Sequence, residues 1–164
     1  FTKLILLFKD DLYKIAKARL KKDDDVFDVI QETMLISFKS IKKLKDPLCF
    51  KSWLIKILIS KSNDMYKKRN KHNIISLEDV KDYQESEYLD TELIDATLDF
   101  KFICNHFEYE KRIIIMLFYM EKFTDKEIGN ILNLKENTVK TKRTRTVQEI
   151  KKMIEKGEKK TWMI

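Results

Sequence analysis

Two glycines and a single proline, Pro47, punctuate the 164 residues of this chain. Tight hairpins draw on those residue types, so their scarcity argues against a sheet-rich fold and favours long helices. Cysteine and histidine are equally sparse, at two each. Cys49 and Cys104 lie far apart without a CxxC pair, and His72 and His106 lack metal-ligand spacing. Neither a disulfide framework nor a metal site is therefore expected. No apolar run approaches the roughly 18 residues of a membrane span, and Phe1–Phe8 is too short and wrongly flanked for a signal peptide. The expectation is a soluble, cytoplasmic protein without cofactor.

What the sequence has in quantity is charge, unevenly placed. The net charge is +7. Between Ile74 and Asp99 nine carboxylates face only Lys81, a local charge of −8 that leaves +15 on the flanking parts. Two basic blocks joined by an acidic strap point to a polyanionic partner, although a lysine-rich surface alone would also be basic.

Helical periodicity falls into two groups. The first reads Lys3–Leu20, Val26–Leu44 and Leu48–Lys71, separated by the Asp23-Asp24-Asp25 cluster as caps and by Asp46-Pro47, with Pro47 in the first turn of the third helix. The second reads Thr91–Asn105, Tyr109–Met120, Asp125–Leu132 and Glu136–Lys156. The resulting expectation is all-α: two small helical domains, residues 1–71 and 91–164, joined by a flexible acidic linker over 72–90.

The segment Thr124–Ile150 has the layout of a helix-turn-helix. Thr124 and Glu127 form a capping box, Ile128, Ile131 and Leu132 an inward stripe, and Asn133 stands where the chain turns and tolerates a left-handed backbone. On the second helix Val139, Val147, Ile150 and Ile154 gather on one side, with Asn137, Thr141, Thr144, Arg145 and Gln148 on the other. A helix fits the major groove of B-DNA. Such side chains reach base edges there, while Lys140 and Lys142 neutralise phosphates. The plain alternative is a solvated amphipathic helix.

Two further constellations precede it. At 100° per residue Asp28, Gln31, Glu32 and Leu35 share a face opposite Val26, Ile30, Thr33, Met34, Ser37 and Ile41, which sets a leucine among acids on an outward stripe. Acids make a poor DNA surface, so the stripe reads either as a docking face for a protein with a basic, partly apolar groove or as an ordinary solvated face. Phe50 and Trp53 then lead into Lys56, Ser60, Lys61, Asp64, Lys67, Lys68 and Arg69. Aromatics beside a cationic helix suit single-stranded DNA, where bases stack on rings. Leu54, Ile57 and Leu58 also favour a packed position for Trp53.

In this order the three segments resemble the extracytoplasmic-function branch of the sigma-70 family across essentially the whole chain. That family's region 2 carries D-V-x-Q-E-x-F-L and then F-x-x-W-L-x-R-I; Asp28–Leu35 and Phe50–Ile57 read so here. Its region 4 carries L-x-Y-x-E-G-x-S-x-x-E-I-A and G-T-V-K-S-R-L-x-R-A, which Leu117–Gly129 and Asn137–Thr146 resemble. The resemblance implies a non-catalytic specificity subunit of RNA polymerase. Its region 2 would dock through Asp28, Gln31, Glu32 and Leu35 on the clamp helices of the largest subunit, and its region 4 would lie near the flap. The −10 element would be melted beside Phe50, Trp53, Lys56, Ser60, Lys61 and Asp64, with an unpaired base captured in the loop before Trp53. The −35 element would be read by Lys140, Thr141, Thr144 and Arg145, with Lys142, Thr124 and Lys126 beside them. An anti-sigma factor, often membrane-bound, would be expected to hold the protein inactive.

Some positions depart from the family pattern. Ser60 replaces asparagine, Glu108 proline and Lys122 glycine, while Arg143 and Thr146 replace leucine and alanine on or near the inward side of the recognition helix. Burying an unpaired arginine would cost several kcal/mol, so Arg143 is expected to be partly exposed or beside a carboxylate. A stand-alone helix-turn-helix regulator is the nearest rival, but leaves the first two constellations without a role. A metal-dependent nuclease using Asp28 and Glu32 would need a third ligand that the sequence does not offer.

Overall fold

The computed structural model describes residues 2–72 and 101–155, and every regular element among them is helical. The acidic strap, the linker beyond His72, the first part of the helix expected from Thr91 and Lys156 lie outside the described residues. By its contacts the chain divides into two compact units, residues 1–77 with 129–134, and residues 78–128 with 135–164.

The first unit begins with α1 (Thr2–Leu6) and α2 (Lys9–Lys17), where one helix was expected. The break is a tight turn: the Leu7 N–H donates to the Leu4 carbonyl and the Phe8 N–H to that of Ile5. Phe8, at the N-cap of α2, sets its ring 5.8 Å from that of Phe50. Tertiary packing of one aromatic thus accompanies a break in a continuous local pattern. Leu12, Ile15 and Ala16 form the buried stripe of α2.

Helix α3 (Asp23–Ser40) starts earlier than expected, because its three leading aspartates occupy the first turn instead of capping it. Carboxylates there complement the helix dipole. Two also have partners: Asp23 accepts from the Tyr13 hydroxyl and from Lys17, and buried Asp25 pairs with Arg69. The Lys17 hydrogen bond, aided by Tyr13, holds the Asp23 carboxyl below its ordinary value. After a 3₁₀ turn (Ile41–Lys43), Asp46 caps a second one (Pro47–Cys49), accepting from the Leu48 N–H at 2.9 Å. Pro47 therefore opens a short turn that leads into α4 (Phe50–His72) rather than the helix itself.

Helices α3 and α4 pack along one another, with α2 against both. Val26 and Val29 of α3 and Leu54, Ile55 and Leu58 of α4 are buried, each contributing about 1.5–3 kcal/mol for the larger side chains. Thr33, Ser37 and Ser62 are also buried, yet their hydroxyls donate to carbonyls of their own helix at 2.7, 3.0 and 2.8 Å. Satisfied locally, they need no partner across the interface.

In the second unit α5 (residues 101–106) precedes α6 (Tyr109–Ile115). The helix expected to run on to Met120 becomes a π turn over Met116–Met120, in which the Glu121 N–H reaches back five residues to the Met116 carbonyl at 3.1 Å. Ile113, Ile114, Ile115, Met116 and Leu117 are buried. Lys111 of α6 donates to both oxygens of Glu149 on the last helix, at 2.9 and 2.8 Å, tying two packed helices together.

Candidate functional site

Helices α7 (Asp125–Leu132) and α8 (Glu136–Glu155) make the helix-turn-helix. The capping box closes as expected: the Thr124 N–H donates to Glu127 Oε2 at 2.8 Å and the Glu127 N–H to Thr124 Oγ1 at 3.3 Å. Asn133 lies at φ 57°, and the Leu134 N–H donates to the Gly129 carbonyl at 2.9 Å, the bond that ends a helix through a left-handed residue. Lys122, where the resemblance would put glycine, is also left-handed at φ 61°. That turn keeps the glycine conformation without the glycine.

The outer face of α8 presents Asn137, Lys140, Thr141, Thr144, Arg145 and Gln148, all exposed, while Val139 and Thr146 are buried. Thr124 and Lys126 are exposed at the start of α7. Lys142 is half-buried and donates to Glu110 of α6 at 2.8 Å. Thr146 in place of alanine is accommodated because its hydroxyl donates to the Lys142 carbonyl at 2.8 Å.

Arg143 is partly exposed, as expected, and has a carboxylate. Its Nε and Nη2 donate to the two oxygens of Asp125, both at 2.8 Å, and its guanidinium lies 3.9 Å from the centre of the Phe118 ring. Only 18% of the arginine side chain and 13% of the aspartate's are exposed. The Arg143 hydrogen bond holds the Asp125 carboxyl below its ordinary 3.8, and the same bond raises Arg143. The first turn of α7, the middle of α8 and the π turn thus meet at one cation. Sequence reasoning asked for a carboxylate but did not find Asp125 or Glu110, whose pairings depend on helix packing and follow no local spacing.

On α3 the expected stripe is outward: Asp28, Gln31 and Glu32 are exposed, and Leu35 is 61% exposed. The structure adds exposed Phe27 and Phe38. With Gln31 and Leu35 they fall at i, i+4, i+8 and i+11, a spacing that already set them on this face. The stripe is more apolar than one leucine among acids. Glu32 is engaged too, accepting from Lys61 of α4 at 2.9 Å.

Along α4, Lys56, Ser60 and Asp64 form an exposed row, and Trp53 and Lys61 are half-buried. Phe50 does not belong on that surface. It is 6% exposed, with its ring between those of Phe8 and Trp53 at 5.8 and 5.9 Å, so it supports Trp53 and offers no free face to a base. Among the described residues no three His, Cys, Asp or Glu side chains gather as metal ligands, and no helix is long and apolar enough to cross a membrane.

Comparison with known proteins gives these surfaces a context. Residues 4–72 match the sigma-70 region 2 family. Over 143 residues, 85% of this chain and 82% of the relative, the sequence is 29% identical to RNA polymerase sigma factor SigV of Bacillus subtilis (strain 168). Over 162 residues it is 26% identical to the ECF RNA polymerase sigma factor SigE of Mycolicibacterium smegmatis, covering 96% of this chain and 63% of that one. The fold resembles that of sigma factor RpoE in complex with the anti-sigma factor NepR from Bartonella quintana, with a TM-score of 0.70 and 19% identity over 94% of this chain and 96% of that one. It also resembles CnrH in complex with the cytosolic domain of CnrY, with a TM-score of 0.64 and 16% identity over 94% and 86%.

Proposed function

We propose that this chain, which carries a sigma-70 region 2 domain and is homologous to extracytoplasmic-function sigma factors, directs core RNA polymerase to promoters through the residues described above. The observation that carries the assignment of faces is the α3 stripe. A region 2 domain that exposes Asp28, Gln31, Glu32 and Leu35 together with Phe27 and Phe38 has the surface needed to engage a basic, partly apolar partner. A stand-alone regulator has no use for it.

In this reading residues 1–71 dock on the clamp helices of the largest subunit and hold the −10 strand along Trp53, Lys56, Ser60, Lys61 and Asp64. Residues 91–164 lie near the flap and read the −35 element. Lys140, Thr141, Thr144 and Arg145 face base edges, and Thr124, Lys126 and Lys142 face phosphates. The protein supplies contacts and no bond-making chemistry. Its relatives seen with anti-sigma factors support a similar inhibitor here, one that covers these faces and could tether the protein to the inner side of a membrane.

The test is transcription in vitro from genomic fragments by core polymerase, with and without the protein. Specific initiation that is lost in the Asp28→Ala, Gln31→Ala double variant is expected. Tight binding of duplex DNA by the protein alone, with no initiation under any condition, would overturn the assignment in favour of a stand-alone regulator.

A further inference from the structure

The face assigned to polymerase and the face assigned to the −10 strand meet at a single ion pair. Glu32 belongs to the acidic stripe of α3, Lys61 to the cationic face of α4, and Lys61 Nζ lies 2.9 Å from Glu32 Oε1. The lysine side chain is 27% exposed and the glutamate's 50%, so each can still be approached from its own side. Asp64 stands farther from the same ammonium, at 4.0 Å. In the free chain Glu32 therefore occupies the position about Lys61 that a DNA phosphate would take.

We propose that this pair couples docking to DNA binding: a cation of the polymerase that takes Glu32 leaves Lys61 available to a phosphate of the unpaired strand. The proposal rests on the sigma assignment and adds an energetic link between its two surfaces. A basic groove presented to α3 must compete with Lys61 for Glu32, and a phosphate presented to α4 must compete with Glu32 for Lys61. Each ligand removes the competitor of the other, and linkage makes the benefit reciprocal. The pair is partly solvated, so the coupling is modest, on the order of two- to fivefold in affinity, as for exposed ion pairs generally. Its sign matters more than its size, because it biases the free protein away from nucleic acid and the assembled one toward it.

The measurement is binding of a fluorescein-labelled twenty-nucleotide oligo(dT) strand to the full chain at low salt, alone and with core polymerase. The proteins compared are the natural sequence, Glu32→Gln, Lys61→Gln and the double variant, with Asp64→Asn as a control for simple loss of negative charge. Glu32→Gln should tighten binding by the free chain about two- to fivefold. That gain should vanish in the Lys61→Gln background and exceed the gain from Asp64→Asn. With polymerase bound, Glu32→Gln should give no gain. An unchanged affinity in Glu32→Gln, or the same gain without Lys61, would overturn the coupling while leaving core binding intact. Failure of the natural sequence to bind core polymerase would instead remove the sigma assignment itself.

Discussion

Asp125→Ala separates a structural role for the Arg143 node from mere surface pairing. The substitution removes two charge-assisted hydrogen bonds of 2.8 Å from groups that are four-fifths buried or more, and leaves the guanidinium facing Phe118. Charge-assisted bonds contribute about 1.5–3 kcal/mol each, and breaking a fully buried pair costs about 3–5. The residual exposure and the neighbouring ring lower the figure to about 2 kcal/mol, or roughly 8–16 °C in the melting of a domain of this size. Hydrogen exchange localises the effect: amides of α7 and α8 should lose about thirtyfold in protection, at 1.4 kcal/mol per factor of ten. Arg143→Leu should cost less, under about 1 kcal/mol, because leucine packs on Phe118 and the first-turn Asp125 keeps the favourable end of the α7 dipole.

Acid gives a second readout of the same node. Asp125 titrates below its ordinary 3.8 in the folded protein, because Arg143 stabilises the carboxylate. Its contribution is therefore complete above that ordinary value and is lost as the pH falls through the lower, folded one. The stability difference between the natural protein and Asp125→Asn should shrink accordingly on acidification. The reasoning would be refuted if Asp125→Ala cost less than about 0.5 kcal/mol, or if Arg143→Leu proved the more damaging of the two.

Lys122→Gly should stabilise the second unit by about 1 kcal/mol in thermal or urea unfolding, because it relieves a left-handed backbone held by a residue with a Cβ. Thr124→Ala should cost about 1 kcal/mol by opening the capping box, with exchange of the first amides of α7 as the readout. Arg145→Ala, on the exposed face of α8, should weaken holoenzyme binding to a matched −35 duplex by about 1–3 kcal/mol and flatten discrimination at one base pair. A uniform loss across all −35 sequences would make it a phosphate contact instead.

The parts of this architecture that sequence made legible are those written in local chemistry. Thr124 with Glu127, Asn133 at the turn and Glu136 at the start of α8 each act within a few residues, and each stands where periodicity and capping rules put it. The outward face of α8 and the α3 stripe were legible for the same reason, since helical angle alone sorts them. What escaped is tertiary. Lys3–Leu20 is periodic throughout, and the break at Leu7–Phe8 accompanies packing of Phe8 on a ring more than forty residues away. Asp23 and Asp25 look like capping residues until Lys17 and Arg69 are brought beside them. Phe50 resembled a base-stacking aromatic, and only its position between two other rings identifies it as support.

The π turn over Met116–Met120 gives the aromatic segment before the helix-turn-helix one residue more than a regular helix would use. A single-codon deletion there would regularise the helix and swing the residues beyond it by about 100° about its axis. Phe118 would then leave the guanidinium that it now faces. An alignment that crosses this segment without a gap would consequently match Phe118 and Tyr119 to the wrong columns. Segment length, as much as residue identity, is an inherited character at this point in the chain.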